Sequence, residues 1–175
     1  MLAEALAALA FVVPGDDVVA RCLDAAQRHF RTPPGLVHAI ARVESGLNPR
    51  AVNTANRNGT HDIGLMQVNS SHLPRLRGAG IDREHLFNPC INAFAGAEIL
   101  ARNLGETDGA IVPALAMYNT GRTDSSVGAR YAQKVLAAWG AARDGATHIA
   151  PTRRPAITAA PLLVAQSATP FAPRW

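Results

Sequence analysis

Apolar positions recur at helical spacing in several stretches of this chain, and one of those stretches breaks its own pattern. Val37, Ile40, Ala41 and Glu44 lie at i, i+3, i+4 and i+7, one stripe of an amphipathic helix. Three are apolar and the fourth is a carboxylate. Gly46 reads as the helix stop, with Pro49 beyond it. The stripe therefore places Glu44 in the last turn, pointing toward the apolar side. Upstream, "DDVVARCLDAAQRHFR" repeats Val19, Cys22/Leu23, Ala26 and Phe30 and predicts a first helix over roughly 16–31, opened by a capping aspartate. "TPPG" separates the two helices.

Residues 47–60 are polar and turn-rich. Asn58-Gly59 is a favoured type I′ hairpin pair and precedes the β-capable "IGLMQVN". A small hairpin or extended loop is expected there, and Gln67 and Asn69 share a face if that stretch is a strand. "SSHLPRLRGAG" predicts a short helix and turn. A long helix opens with Asn88 as cap and Pro89 in first position, and runs to Gly105 with Cys90, Ala93/Phe94, Ala97, Ala101 and Leu104 on one side. Another ends near Gly121. The last has Ser125 or Ser126 as cap and Gly145 as stop. Five or six helices with a minor sheet make the class mainly α, or α+β.

Length and composition bound the rest. At 175 residues, about half of them apolar, the chain fits one domain with a substantial core. Alanine is abundant and aromatics are few, so helices must pack closely. The domain is expected over 16–145. Residues 1–15 are a separate N-terminal segment whose first 13 residues are apolar but carry Glu4 and no basic start, a poor signal peptide as written; they read as a short helix, the remnant of a longer leader, or the tail of one whose true start lies upstream. Residues 146–175 are rich in Pro, Ala and Thr, and are expected to be an extended or disordered tail, a linker or a contact for a partner. No stretch approaches the ~18–20 apolar residues of a transmembrane helix. The formal charge is +4 and Lys134 is the single lysine. The charges are scattered without a basic face, which disfavours nucleic acid as a partner.

Glu44 carries the candidate chemistry. Burial favours the neutral form of a carboxyl group, and the carbonyl end of a helix pushes the same way. A carboxyl that keeps its proton near neutral pH, in a cleft, suits general-acid cleavage of a glycosidic bond; lysozyme is the worked case of that pattern. The alternative is a helix-end glutamate that reaches water or pairs with Arg42 or Arg50. Asp62 is the candidate second carboxylate, either stabilising an oxocarbenium-like transition state or merely closing a turn. Glu98 reads as a surface pair with Arg102. Six histidines form no H-E-x-x-H motif and no zinc-type spacing, so no metal is expected. Cys22 and Cys90 lie on apolar stripes; they form one disulfide between two helices, suited to an oxidising compartment, or remain buried thiols.

In combination, "VESGLNPRAVN" (43–53), "DIGLMQVN" (62–69), "LFNPCINAFAGAEIL" (86–100) and "AMYNTG" (116–121) resemble the soluble lytic transglycosylases. The likeness is greatest to the small specialised members that accompany type IV and type III secretion and conjugation machines, and it covers roughly residues 20–140. It implies a lysozyme-like fold and cleavage of peptidoglycan in the cell envelope or periplasm, with no cofactor. Glu44 then matches the catalytic acid and Ser45 the serine beside it. Gly64, Leu65, Met66 and Gln67 match the segment that lines the cleft, followed by Asn69. Tyr118 and Asn119 match the aromatic-amide pair near the acid, and Tyr131 a further cleft aromatic. The resemblance also implies peptidoglycan strands, and components of a secretion or conjugation machine, as partners. It further implies a route that needs one acid, in which Glu44 protonates the glycosidic oxygen and then takes the proton of the muramic acid C6 hydroxyl. Two rival readings remain at this point: a water-using muramidase with Asp62 as second acid, and a non-catalytic glycan-binding component.

Overall fold

The computed structural model describes residues 15–147, which form six α-helices and one small sheet. The segments 1–14 and 148–175 lie outside the described residues, and the expected leader remnant and tail fall there. Helix α1 (Gly15–Phe30) and helix α2 (Leu36–Ser45) sit within a residue or so of their predicted bounds. Gly46 ends α2 with φ 62°, and its N–H donates to the carbonyls of Ala41 and Arg42. Three two-residue strands follow: β1 (Val52–Asn53), β2 (Asp62–Ile63) and β3 (Val68–Asn69), antiparallel in the order β1-β2-β3. A short 3-10 turn leads into α3 (Leu73–Arg77). Then come α4 (Pro89–Glu106), α5 (Ile111–Thr120) and α6 (Ser126–Thr147).

Three local expectations change. Asn58-Gly59 is not a two-residue hairpin: β1 and β2 are joined by a long loop, in which Gly59 has φ 74° and closes onto the Asn56 carbonyl. "IGLMQVN" is not one strand, because Gly64 to Gln67 turn the chain between β2 and β3; Gln67 has φ 48°, so it does not alternate with Asn69 on a strand face. Gly145 does not stop α6, which runs on to Thr147. A glycine in a helix interior lowers helix propensity without forbidding the turn.

The core has two parts. The larger holds Leu23, Leu36, Ile40, Leu100, Leu115 and Val135 between the helices, all of them fully buried. The smaller, around Ile63, Val68, Leu76 and Leu86, lies under the sheet. Tyr118 packs against both. Cys22 and Cys90 form a disulfide, Cα to Cα 4.6 Å, that ties α1 to the first turn of α4. Cys22 is buried as its stripe predicts, whereas Cys90 is exposed.

Candidate active site

The turn between β2 and β3 is the centre of the site, and side chains from three helices hold it. Asn92 of α4 is fully buried; its Nδ2 donates to the carbonyls of Ile63 and Leu86, each at 2.8 Å, and its Oδ1 accepts from Met66 N at 2.7 Å. Ser45, at the end of α2, donates its hydroxyl to the Leu65 carbonyl at 2.6 Å. Tyr118 of α5 donates to the Met66 carbonyl at 2.9 Å. Every backbone group of a buried turn needs such a partner. Gly64 has φ 77°, and a Cβ there would run into Asn92 and the Leu86 carbonyl, so the position needs glycine twice over.

This arrangement corrects several expected roles. Leu65 and Met66 are fully buried and belong to the larger core, and Gly64 is buried beneath the turn. None of the three lines the cleft among its described lining residues. Met66 instead packs against Gly96 of α4, where a Cβ would lie 2.6 Å from its sulfur. Ser45 is a brace, not a cleft residue. Tyr118 lines the cleft beside Glu44, but its hydroxyl goes to the Met66 carbonyl and does not bond the acid.

Tyr131 of α6 does. Its hydroxyl donates to Glu44 Oε1 at 2.6 Å. Glu44 is half-buried at the end of α2 and lines a cleft of about 380 Å³ with Asp62, Gln67, Asn69, Tyr118 and Asn119. Burial raises the Glu44 pKa to about 7, the Tyr131 hydrogen bond partly opposes this, and the negative charge of Asp62 adds to it. Burial and the nearby Glu44 carboxylate hold Tyr131 and Tyr118 well above the ordinary phenol range, so both remain hydrogen-bond donors. With Oε1 occupied by Tyr131, Oε2 is left to carry a proton toward the cleft.

Asp62 has different company. The strand register sets Asn53, Asp62 and Asn69 side by side across the sheet. Asn69 Nδ2 donates to Asp62 Oδ1 at 2.6 Å; Asn53 and Asn56 donate to Oδ2 at 3.0 and 2.9 Å. Both oxygens of Asp62 are therefore taken up by side-chain amides of the loop and sheet. Beyond it the cleft widens into a cavity of about 600 Å³ walled by Asn53, Asn56, Arg57, Asn58 and Thr60. Gln67 donates to the Ala51 and Gly64 carbonyls and borders both spaces, as does Asn119. No group of three or more His, Cys, Asp or Glu able to hold a metal occurs among the described residues.

Sequence reasoning passed over Asn92, the amide wall at Asn53 and Asn56, and the cleft residues Ser71, His72 and Met117. For Asn92 a signal existed. Asn92, Gly96, Ile99 and Asn103 form one buried stripe of α4, broken by polar residues as the α2 stripe is broken by Glu44.

The transglycosylase SLT domain family matches residues 21–137, which include every helix that shapes this cleft. The chain belongs to the SLT transglycosylase family. It is 38% identical over 119 residues to the invasion protein IagB of Salmonella typhimurium, spanning 66% of this chain and 73% of IagB. It is also 38% identical over 107 residues to a peptidoglycan-binding-like protein of Escherichia coli O157:H7, covering 57% of this chain and 64% of that one. An inactive mutant of the lytic transglycosylase Slt of Pseudomonas aeruginosa superposes with a TM-score of 0.60 over 81% of this chain and 26% of Slt, at 21% identity, and so shares the fold. This SLT-family chain is an enzyme of the lytic transglycosylase class, and no helix among its described residues is long and apolar enough to cross a membrane.

Proposed function

We propose that this SLT-family enzyme cleaves the β-1,4 bond between N-acetylmuramic acid and N-acetylglucosamine with Glu44 as its one catalytic carboxyl. The observation that carries this is the half-buried acid at the end of α2, with a pKa raised to about 7, one oxygen bonded to Tyr131 and the side chain facing a polar cleft. Glu44 gives its proton to the glycosidic oxygen as the C1–O bond breaks, and the N-acetylglucosamine end leaves as an alcohol. The substrate's acetamido group shields the developing cation at C1. The Glu44 carboxylate then takes the proton of the C6 hydroxyl as O6 bonds to C1. The product is a 1,6-anhydro sugar, no water is consumed, and Glu44 is protonated again. A group with pKa near the working pH serves both steps.

Glu44, Tyr131, Gln67, Asn69, Tyr118 and Asn119 are the proposed site, with Asp62 holding the sheet and raising the acid's pKa. Likeness to an invasion protein supports a setting in the cell envelope, where local opening of the wall serves a secretion or conjugation apparatus. A second reading, hydrolysis by water with Asp62 as base, has one observation in its favour: Asp62 lines the same cleft as Glu44. Mass analysis of muropeptides released by the purified protein, with Glu44→Gln alongside, decides. Anhydro ends that vanish in the variant support the proposal; reducing ends support hydrolysis.

A further inference from the structure

Asn58 is followed by glycine, and no other asparagine of the chain is. Such a pair has a reaction of its own. The glycine nitrogen attacks the asparagine Cγ, because no Cβ on the following residue shields it. The N–Cγ bond closes a succinimide ring, the Cγ–Nδ2 bond breaks, and ammonia leaves with the proton of the glycine N–H. Water then opens the ring. Addition at Cγ leaves aspartate in place of asparagine. Addition at the backbone carbonyl leaves isoaspartate, with the main chain routed through the side chain.

The fold presents this pair for the reaction. Asn58 and Gly59 are both exposed in the long loop between β1 and β2, and a Cβ on Gly59 would meet nothing within 4 Å. Asn58 Oδ1 accepts from Thr60 N at 3.2 Å and from the Thr60 hydroxyl at 2.7 Å. Both bonds draw electron density from Cγ and make it a better electrophile. Nδ2, the group that leaves, makes no hydrogen bond among the described residues. One bond restrains the nucleophile: Gly59 N–H donates to the Asn56 carbonyl at 3.1 Å, so the loop opens there before the nitrogen turns to Cγ. Asn69 is the contrast. Its Nδ2 is held by Thr60 at 2.9 Å and Asp62 at 2.6 Å, and the N–H of the next residue, Ser70, is committed to the His61 carbonyl at 2.7 Å.

We propose that Asn58 is a site of spontaneous deamidation, with water as the co-reactant, and that the reaction places a carboxylate on the wall of the cleft. Asn58 lines both the main cleft and the wider cavity beyond Asp62. Aspartate at this position keeps an acceptor for Thr60, loses both N–H donors of the amide, and adds a negative charge to the wall that already holds Asp62. Isoaspartate lengthens the backbone two residues from Asn56, whose amide donates to Asp62. Either product weakens the hold of the cleft on a chain of hydroxyl and acetamido groups, so affinity for glycan falls as the protein ages. The modification stands apart from the role of Glu44; its consequence for glycan rests on that reading.

The test reads the modification first and binding second. Purified wild-type protein is kept folded in mildly alkaline buffer and sampled over time. Peptide mass spectrometry locates the exchange of NH2 for OH at each asparagine, and isoaspartyl methyltransferase labels the isoaspartate product. Exchange gathers at Asn58 while Asn69 in the same samples stays intact, and Asn58→Gln, whose longer side chain closes a ring far more slowly, takes no label. Exchange that is no faster at Asn58 than at Asn69, or that begins only once urea unfolds the protein, overturns the site. In a Glu44→Gln background, calorimetry then measures the Kd of soluble glycan strands. Aged protein and fresh Asn58→Asp protein bind roughly 3- to 10-fold more weakly than fresh protein, the range for one lost hydrogen bond. An unchanged Kd in both overturns the effect on the cleft. Wild-type protein that releases no anhydro product while Asn58 is modified sinks the proposed reaction and leaves the modification standing.

Discussion

Glu44 and Asp62 line one cleft and have opposite surroundings. Glu44 sits at the end of a helix, half-buried against the larger core, and receives one hydroxyl bond from Tyr131. Asp62 sits in a sheet of amides and receives bonds from Asn53, Asn56 and Asn69. Each donated bond stabilises a carboxylate, and each increment of burial destabilises it. Burial wins at Glu44 and raises its pKa to about 7. Burial against the core is thus what readies the Glu44 carboxyl to deliver a proton, while the oxygens of Asp62 are taken up by the side-chain amides that organise the loop and sheet.

The largest effect expected from this contrast is at Glu44. Glu44→Gln keeps an acceptor for Tyr131 and removes the transferable proton. Its kcat should fall by about 10²–10⁴-fold, the usual contribution of a general acid, with strand binding retained. Chromatography of released muropeptides measures it. Residual activity within tenfold of wild type would remove Glu44 from the chemistry.

Folding stability tests the same contrast without substrate. The Glu44 pKa is about 7 in the fold against an ordinary 4.5. The fold therefore prefers the protonated form. Stability associated with that proton is present in full below about pH 4.5 and is lost as pH rises through about 7. Glu44→Gln cannot lose it. The variant should match wild type near pH 4 and exceed it by about 1–3 kcal/mol near pH 8, the lower part of that range reflecting partial exposure. Thermal melts at the two pH values read this directly, and equal melts at both would mean that Glu44 is not desolvated.

Tyr131 sharpens the comparison further, as the single donor to the acid among the described residues. Its hydrogen bond lowers the Glu44 pKa, so Tyr131→Phe should raise it. The alkaline limb of the kcat/KM profile, which reports the acid of the free enzyme, should move to higher pH. Losing the bond that orients the carboxyl should also lower kcat about tenfold. A limb that moves to lower pH would assign Tyr131 a role other than bonding the carboxylate.

The two carboxyl sites were not equally legible in the sequence. Helix periodicity placed Glu44 in the last turn of α2 on its apolar side, because a helix fixes which residues share a face. Gly46, Asn88 and Gly121 marked helix ends correctly for the same local reason. The sheet was opaque. Its strands are two residues long, too short for alternation to register, and the pairing of Asn53 with Asp62 and Asp62 with Asn69 spans a loop whose length no local signal sets. Leu65 and Met66 were placed in the cleft by resemblance, yet their carbonyls, bonded to Ser45 and Tyr118, hold the turn while their side chains fill the core. Tyr131 lies 87 residues from Glu44, and only tertiary packing of α6 on α2 brings them together.

Asp62→Asn should have the smallest effect, and it is the change that most directly sets the two proposed reactions against each other. If Asp62 only braces the sheet, the substitution exchanges one acceptor oxygen for an amide that faces the donors of its neighbours. The row Asn53, Asp62, Asn69 loosens, and the negative charge that raises the Glu44 pKa disappears. The alkaline limb of the pH profile should then move toward lower pH, opposite to Tyr131→Phe, with a rate loss below about tenfold because the general acid remains in place. The products should still carry anhydro ends. If Asp62 were the base that activates water, its loss would match that of Glu44→Gln, and the reducing ends of a hydrolase would vanish with it.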